Sequence, residues 1–249
     1  MTLVHNLIYD FSKALAQCDT ASVVKLAKEE ILLEGGAIFK IDLNDPLGPA
    51  LKTAVSNKAW PHFLKTLIDL GANINGKDLH GGAPLHEAVS IKSPDIETIT
   101  LLLELGAKID PLDKYGNSPL GFAASAGNIE VVKFLLEKGA DINSQNHTGY
   151  TAAMAALYWA GNNSSPPKSF ATARFLIEHP DTDLTISMKD GETLLDIARK
   201  KSDTPSDLLA LIEQRILDKK REQEAEQALK NHARNIEKLD KILKKHKPR

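Results

Sequence analysis

The sequence contains one cysteine, Cys18, which excludes an intramolecular disulfide and a cysteine-based zinc site. Aromatic residues make up only 5% of the 249 residues, and the apolar content is mainly Leu, Ala and Ile, which suits helices better than sheets. No stretch approaches the ~18 uninterrupted apolar residues of a membrane-spanning helix, and residues 1–11 lack the basic start and apolar centre of a secretory signal peptide. A Walker-type phosphate motif with its Ser or Thr is absent, and the histidines show no H-x-x-x-H spacing. These absences weigh against an enzyme, a metalloprotein and a membrane-spanning protein.

Net charge is also small, at −2, but it is unevenly distributed along the chain. Residues 218–249 contain 11 Lys or Arg and 6 Asp or Glu, a balance of +5, which leaves −7 for the other 217 residues. An acidic body followed by a basic end indicates a tail that is distinct from the body.

What the sequence does contain is an internal repeat. The phrases Gly71–Asn75, Gly106–Asp110 and Gly139–Asn143 share the pattern Gly-Ala-x-Ile-Asn/Asp, and their first glycines lie 35 and then 33 residues apart. The phrases Ala-Pro-Leu-His-Glu-Ala at 83–88 and Ser-Pro-Leu-Gly-Phe-Ala at 118–123 precede the last two of them. These motifs resemble the Thr-Pro-Leu-His-x-Ala phrase and 33-residue unit of the ankyrin-repeat family.

The signals for turns and helices are clearest in the best-preserved unit, residues 113–143. Residues 113–116 (Asp-Lys-Tyr-Gly) predict a turn in which Asp caps and Gly takes a positive φ. Pro119 can occupy the first turn of a short helix, where its missing N–H costs nothing. Apolar residues then mark one face of a second helix over about 129–138, and Gly139 is expected to end it in the left-handed conformation.

The same unit recurs, with substitutions and insertions, and further copies begin near Asp45, Asp78, Asn146 and Met188. Together with the unit at 113 they make five repeats, and the resemblance covers about residues 12–215. The fourth repeat carries roughly eight extra residues at 161–169. The resemblance implies an all-α ankyrin-repeat solenoid with β-turn fingers and a long C-terminal helical extension. We therefore divide the chain into an N-terminal helical cap (1–36), an ankyrin-repeat domain (37–217) and a charged, basic C-terminal helical tail (218–249).

Within the tail, apolar or weakly polar residues recur at alternating spacings of four and three, which is a short heptad seam. They are Ala225, Leu229, His232, Ile236, Leu239 and Leu243. Three interpretations remain open at this point: a solvated helix, a helix that docks on a partner or a second copy, and a basic arm for nucleic acid or an anionic membrane. Interspersed acidic residues and the absence of aromatics among the basic ones weigh against the third.

The resemblance also implies which residues contact a partner, because fingertips and the exposed ends of inner helices make the contacts in this family. Carried over by alignment, these are Leu79, His80, Ser90, Ile91, Lys114, Tyr115, Asn117, Ser125, His147, Tyr158, Trp159, Lys189 and Asp190. Tyr115, Tyr158 and Trp159 are the expected anchors, because Tyr and Trp bury a large area with little loss of entropy. Two alternatives stay open for Trp159: exposure to a partner, or burial beneath the 161–169 insertion. His86, in the Pro-Leu-His position, is expected to be a structural residue that links neighbouring fingers.

The predicted function is therefore a non-enzymatic protein-binding module that needs no cofactor or metal. Two alternatives remain: a scaffold that assembles through its C-terminal helix, and an effector delivered by an intracellular bacterium, a class that compact ankyrin proteins resemble. A third, an enzyme hidden in the degenerate repeats, lacks the residue constellations that chemistry needs. We expect the protein to be cytoplasmic, or to act inside a host cell if it is an effector. We also expect a monomer, with weak self-association through the tail as the alternative.

Overall fold

The computed structural model describes residues 2–17, 19–28, 30–32, 38–40, 42–43, 50–56, 61–90, 94–160 and 168–245. Over these ranges the chain folds mainly into short paired helices. The helices are α1 (Thr2–Ala16), α2 (Thr20–Ala27), α3 (Ala50–Ser56), α4 (Pro61–Asp69), α5 (Pro84–Ser90), α6 (Ile96–Glu104), α7 (Pro119–Ser125), α8 (Ile129–Glu137), α9 (Ala152–Trp159), α10 (Lys168–Glu178), α11 (Leu194–Lys200) and α12 (Ser206–Lys245). The strands are β1 (Glu30–Leu32) and β2 (Ile38–Lys40).

The helices pack in two rows. Helices α3, α5, α7, α9 and α11 follow one another along an inner row, and each pairs with the helix that comes after it in the chain. Helices α1 and α2 form a further pair that contacts α3 and α4. Small side chains permit the close approach of the inner helices, since Ala123, Ala124 and Ala156 are completely buried. The core is therefore continuous along the stack, as expected for repeats that cannot bury their apolar faces alone.

A turn precedes each of α5, α7, α9 and α11. We call these turns fingers 1 to 4, at residues 78–82, 113–117, 146–150 and 188–192. Each finger is joined to the next by one backbone hydrogen bond in which an N–H of the later finger donates to a carbonyl of the earlier one. The donor and acceptor pairs are Lys114 to His80 (2.9 Å), His147 to Tyr115 (2.8 Å) and Lys189 to Thr148 (3.1 Å).

Finger 2 shows why this turn forms. Asp113 Oδ1 accepts the N–H groups of both Tyr115 and Asn117 at 2.8 Å. Gly116 has φ +79°, and a Cβ there would lie 2.8 Å from the backbone nitrogen of His147 in the next finger. The predicted turn is confirmed, and glycine is required both for its backbone angle and for the close approach of the neighbouring finger. The left-handed ending of α8 is confirmed as well, because Gly139 has φ +89°.

The hairpin of β1 and β2 was not predicted. It is antiparallel, with Ile31 opposite Phe39, and it crosses the boundary that the sequence suggested between residues 36 and 37. Strands of three residues contain too little alternation to be recognised as a period-two pattern.

Helix α12 has 40 residues, which corresponds to about 60 Å. Its first part is fastened to the body by ion pairs of Asp207 with Arg174, Glu213 with Arg199, and Lys219 with Asp183, the last at 2.9 Å. Every described side chain from 220 to 238 is exposed. The predicted division at 217 and 218 therefore lies inside one continuous helix, close to the point where it leaves the body.

Among the described residues, no helix is both long enough and apolar enough to cross a membrane.

Candidate protein-binding groove

A groove of about 410 Å³ opens between α7 and α9 and the fingers that precede them. Its lining contains aromatic, small and uncharged polar side chains. The lining residues are Gly116, Asn117, Ser118, Gly121, Phe122, Ser125, Ser144, Asn146, Thr148, Tyr150, Thr151, Ala152, Ala155, Tyr158 and Trp159. None of these residues is an acid or a base of the Asp, Glu, Lys, Arg or His type, although such residues are common elsewhere in the chain.

The floor of the groove follows from helical spacing. Gly121 and Ser125 lie one turn apart on α7, and Ala152, Ala155 and Trp159 share one face of α9. Glycine, alanine and serine occupy little space at these positions, so they leave a depression between the two helices. The same α9 face ends in an aromatic residue, which forms one wall.

That wall is a cluster of three aromatic rings. Tyr150 and Tyr158 meet edge to face, with centroids 5.8 Å apart and an interplanar angle of 80°. Tyr158 and Trp159 meet in the same way at 5.5 Å and 83°. Perpendicular rings present faces in different directions and are a favourable arrangement for aromatic pairs. The three rings therefore form a preassembled apolar corner at the mouth of the groove.

Two of these rings are exposed. The exposed fraction is 47% for Tyr158 and 53% for Trp159. Of the two alternatives for Trp159, the structure has the exposed one, while most of the insertion that might have covered it (161–167) lies outside the described residues. Helix α9 stops just beyond Trp159, where the backbone of Ala160 is extended.

Tyr150 is the more enclosed member of the cluster. Burial raises the pKa of its hydroxyl, and the nearby Tyr158, Glu192 and Asp190 add to that shift. The phenol therefore stays neutral at physiological pH and keeps a proton that it can donate to a ligand carbonyl.

The fingertips beside the groove carry charge. Lys114 places its ammonium 5.0 Å from the centre of the Tyr115 ring, and its Nζ donates to His80 Nδ1 at 2.6 Å. Tyr115 is exposed, and His147 follows it in the next finger through their backbone hydrogen bond. These contacts bring His80, Lys114, Tyr115 and His147 into one row along adjacent fingers.

The remaining predicted contact residues lie at various distances from the groove. Leu79 is exposed on finger 1, Lys189 and Asp190 lie on finger 4, and Asp190 accepts the N–H of Glu192 at 3.1 Å. Ser90 is at the end of α5, where its hydroxyl donates to the carbonyl of His86. Ile91 lies outside the described residues.

Asn117 and Ser125 line the groove but are already hydrogen-bonded within the chain. Asn117 Oδ1 accepts from Asn146 Nδ2 at 2.8 Å, and its own Nδ2 donates to Asp113 at 3.0 Å. The Ser125 hydroxyl donates to the carbonyl of Phe122 at 2.8 Å. Asn117 therefore holds fingers 2 and 3 together, and Ser125 keeps only its acceptor lone pairs for a ligand.

His86 links fingers as the family resemblance implied. Its Nδ1 accepts the N–H of Ala83 at 3.1 Å, so the ring proton is on Nε2, which donates to the carbonyl of Asn117 at 3.0 Å. The side chain is 3% exposed, and this burial lowers its pKa, against an opposing effect of the Asn117 hydrogen bond. His86 is thus a neutral structural residue that ties α5 to finger 2.

Sequence reasoning missed Phe122 and Tyr150 as lining residues. Tyr150 lies eight residues before Tyr158, but it precedes α9, so this spacing does not place the two rings on one helical face. Chemically, the groove offers hydroxyls, amides and ring faces, a set suited to noncovalent binding. Over the described part of the chain, no three His, Cys, Asp or Glu side chains converge on a point where a metal ion could bind.

Two comparisons with known proteins bear on this arrangement. A sequence model of ankyrin repeats in three copies matches residues 51–146 and again 85–185, which together exceed half of the chain. Potassium channel AKT2/3 of Arabidopsis thaliana is 28% identical over 116 residues, 47% of this chain. The chain spans 14% of that protein's length, so the similarity concerns a small part of the channel.

Proposed function

This chain belongs to the ankyrin-repeat family, whose members are generally protein–protein interaction modules, and we propose that it binds a partner protein in the groove between α7 and α9. The binding is noncovalent recognition by a preformed surface. Tyr158 and Trp159 are the anchors, and the neighbouring fingers set orientation and specificity.

The observation that carries this proposal is the exposure of two large aromatic side chains at the mouth of a groove without fixed charge. An aromatic side chain can bury roughly 150–250 Å² against a partner. Tyr and Trp are also enriched among the few interface residues whose truncation costs about 2 kcal/mol or more. In the free protein about half of the surface of Tyr158 and Trp159 is exposed to water, and a bound partner would bury that surface.

The lining indicates what the partner presents. Tyr150, Thr148 and Thr151 can exchange hydrogen bonds with uncharged groups, whereas nothing in the lining can pair with a buried carboxylate or ammonium. The groove therefore suits an apolar or uncharged polar side chain on an exposed segment of the partner. Charged residues of the partner belong at the rim, near Lys114 and Lys189.

The test is quantitative affinity capture with three baits: the wild-type chain, a Tyr158→Ala/Trp159→Ala variant and a Tyr9→Ala variant. Tyr9 is a matched control, because it is an exposed aromatic residue (63%) on α1, far along the stack from the groove. We expect the double substitution to raise the dissociation constant for a specific partner by about thirtyfold or more, the equivalent of about 2 kcal/mol of binding free energy. Tyr9→Ala should capture the partner as wild type does.

A partner retained equally by all three baits would refute binding through these anchors. Folding of each bait is checked by thermal melting. The double variant loses the edge-to-face ring contacts, so we expect its midpoint to fall slightly while the chain stays folded at the temperature of the capture assay. A double variant that is folded at that temperature but loses the partner then reports on binding alone.

A further inference from the structure

We propose that the free part of α12 pairs with the same segment of a second copy of the chain in a parallel, two-stranded coiled coil. Beyond Lys219, the last described residue of α12 with an ion pair to the body, the helix continues for about 25 residues, or close to 40 Å. Its first part is folded as the last layer of the repeat stack. The body therefore supplies the helix nucleus, and the free part needs only propagation.

The apolar stripe on this helix has no partner among the described residues. Leu229 is 70% exposed and Ile236 is 48% exposed, and their seven-residue spacing places them on one face. In heptad notation they are both a positions, as is Leu243, while Ala225, His232 and Leu239 are d positions. This stripe is the seam that a second helix would cover.

The charges beside the seam favour a second copy in parallel. With Leu229 at a, Arg221 is at g and Glu226 at the following e, so each Arg221 of a parallel pair faces the partner's Glu226, and the dimer contains two such pairs, one on each side. The next g and e positions are Ala228 and Ala233, and the pair after that is Asn235 and Asp240. Within one helix, Glu226 contacts Lys230 at 2.6 Å, an exposed pair that can persist alongside the intermolecular one.

An antiparallel pair is less favourable. The same seam residues would then match Leu229 with Leu239 and His232 with Ile236, and that register opposes Glu226 to Asp240. Like charges brought together at an interface oppose association. The sequence of the flanking positions therefore distinguishes the two orientations.

The seam is short and includes Ala225 and His232, so the dimer is weak and forms at high local concentration. Its parallel orientation places both repeat bodies at the same end of the coil. If the groove binds a partner as proposed above, two grooves would then be presented together, and a partner with repeated sites would be held by avidity. The pairing itself does not depend on the groove.

The experiment is light scattering and sedimentation of the full chain over a concentration series from micromolar to submillimolar. The wild-type mass should rise from the monomer value of 27.2 kDa towards twice that value. Leu229→Glu/Ile236→Glu should raise the dissociation constant by more than roughly tenfold, since it would bury charge in the seam. Gln223→Glu/Gln227→Glu, which adds the same charges off the seam, should dimerise like wild type.

Orientation is tested by exchanging the flanking charges. In a parallel dimer Glu226→Arg weakens association, and adding Arg221→Glu restores it, although the intrahelical contact with Lys230 stays lost in both variants. Circular dichroism checks that each variant keeps its helix. A wild-type chain that stays monomeric, a seam variant that dimerises normally, or tighter association of Glu226→Arg would each overturn the proposal.

Discussion

Replacing Asp110 by Asn should stabilise the protein, because Asp110 occupies a position where two other repeats use asparagine to join one repeat to the next. Asn75 Oδ1 accepts the N–H of Lys108 at 2.8 Å, and its Nδ2 donates to the carbonyl of Gly106 at 3.2 Å. Asn143 does the same with Asp183 and Asp181, both at 2.8 Å.

Asp110 can make only half of this connection. Its Oδ2 accepts the N–H of Asp141 at 3.0 Å, while Oδ1 is buried without a hydrogen-bond partner. By the pattern of Asn75, the group that faces Oδ1 is the carbonyl of Gly139, a second acceptor. An amide nitrogen there would supply the missing donor. One recovered hydrogen bond and one relieved buried acceptor suggest a gain of about 1 kcal/mol, which is a rise of roughly 2–4 °C in melting temperature.

The gain should depend on pH. Burial raises the pKa of Asp110, and the charge of Asp141 adds to the shift, against the opposing effect of the Asp141 N–H. Because the folded state binds this proton more readily than the unfolded state, the wild type gains stability as pH falls through the raised pKa towards the ordinary value of 3.8. The advantage of the Asn variant is therefore largest at neutral pH and shrinks on acidification.

Urea denaturation at neutral and acidic pH measures both effects, and Asn143→Asp is the matched reverse substitution. We expect Asp110→Asn to raise the midpoint at pH 7 and Asn143→Asp to lower it, with unchanged slopes. If Asp110→Asn left the pH 7 midpoint unchanged or lowered it, the inference that the Oδ1 position calls for a donor would be wrong.

Three further predictions concern the fingers and α12. Gly149→Ala should lower the urea midpoint more than Gly191→Ala: both have φ near +90°, but a Cβ at 149 would lie 2.6 Å from Met188 Cα, and one at 191 meets nothing within 4 Å. Asp183 has its pKa lowered to about 2, with the hydrogen bond from Lys219 as the largest cause. Lys219→Met should therefore lower the free energy of unfolding by under about 1 kcal/mol at pH 7, because solvent screens this exposed ion pair. Denaturation curves should show the difference from wild type disappearing as the pH falls from about 4 towards 2, where Asp183 becomes protonated. Removing residues 221–249 should leave the melting temperature unchanged in calorimetry at low micromolar concentration, where the chain is monomeric, since the described side chains of that segment are exposed.

Much of the repeat architecture could be predicted from local chemistry. Glycines at finger and helix ends, and Pro119 at the start of α7, have conformational preferences strong enough to mark boundaries, and α8 was predicted within one residue of its observed end. The role of His86 was implied by the resemblance of its Pro-Leu-His phrase to that of the ankyrin-repeat family. These features depend on residues close together in sequence.

The parts that escaped prediction depend on long-range geometry or on weak patterns. Whether Tyr150 faces the groove is decided by how finger 3 packs beside α9, which sequence spacing alone does not show. The continuity of α12 was obscured by the charged run at 218–224, which has no apolar stripe. That run contains no glycine or proline to end a helix, and i,i+4 pairs such as Lys220 with Glu224 support it instead.

Site-specific photocrosslinking tests partner binding in the groove most directly. A photoreactive residue is placed at Ser125, on the groove floor, and in a second protein at Tyr9, on α1. We expect the Ser125 position to form a covalent adduct with a distinct partner protein, and the Tyr9 position to form none. An adduct with the same partner from Tyr9 but not from Ser125 would contradict recognition through the groove and would move the binding surface elsewhere on the chain.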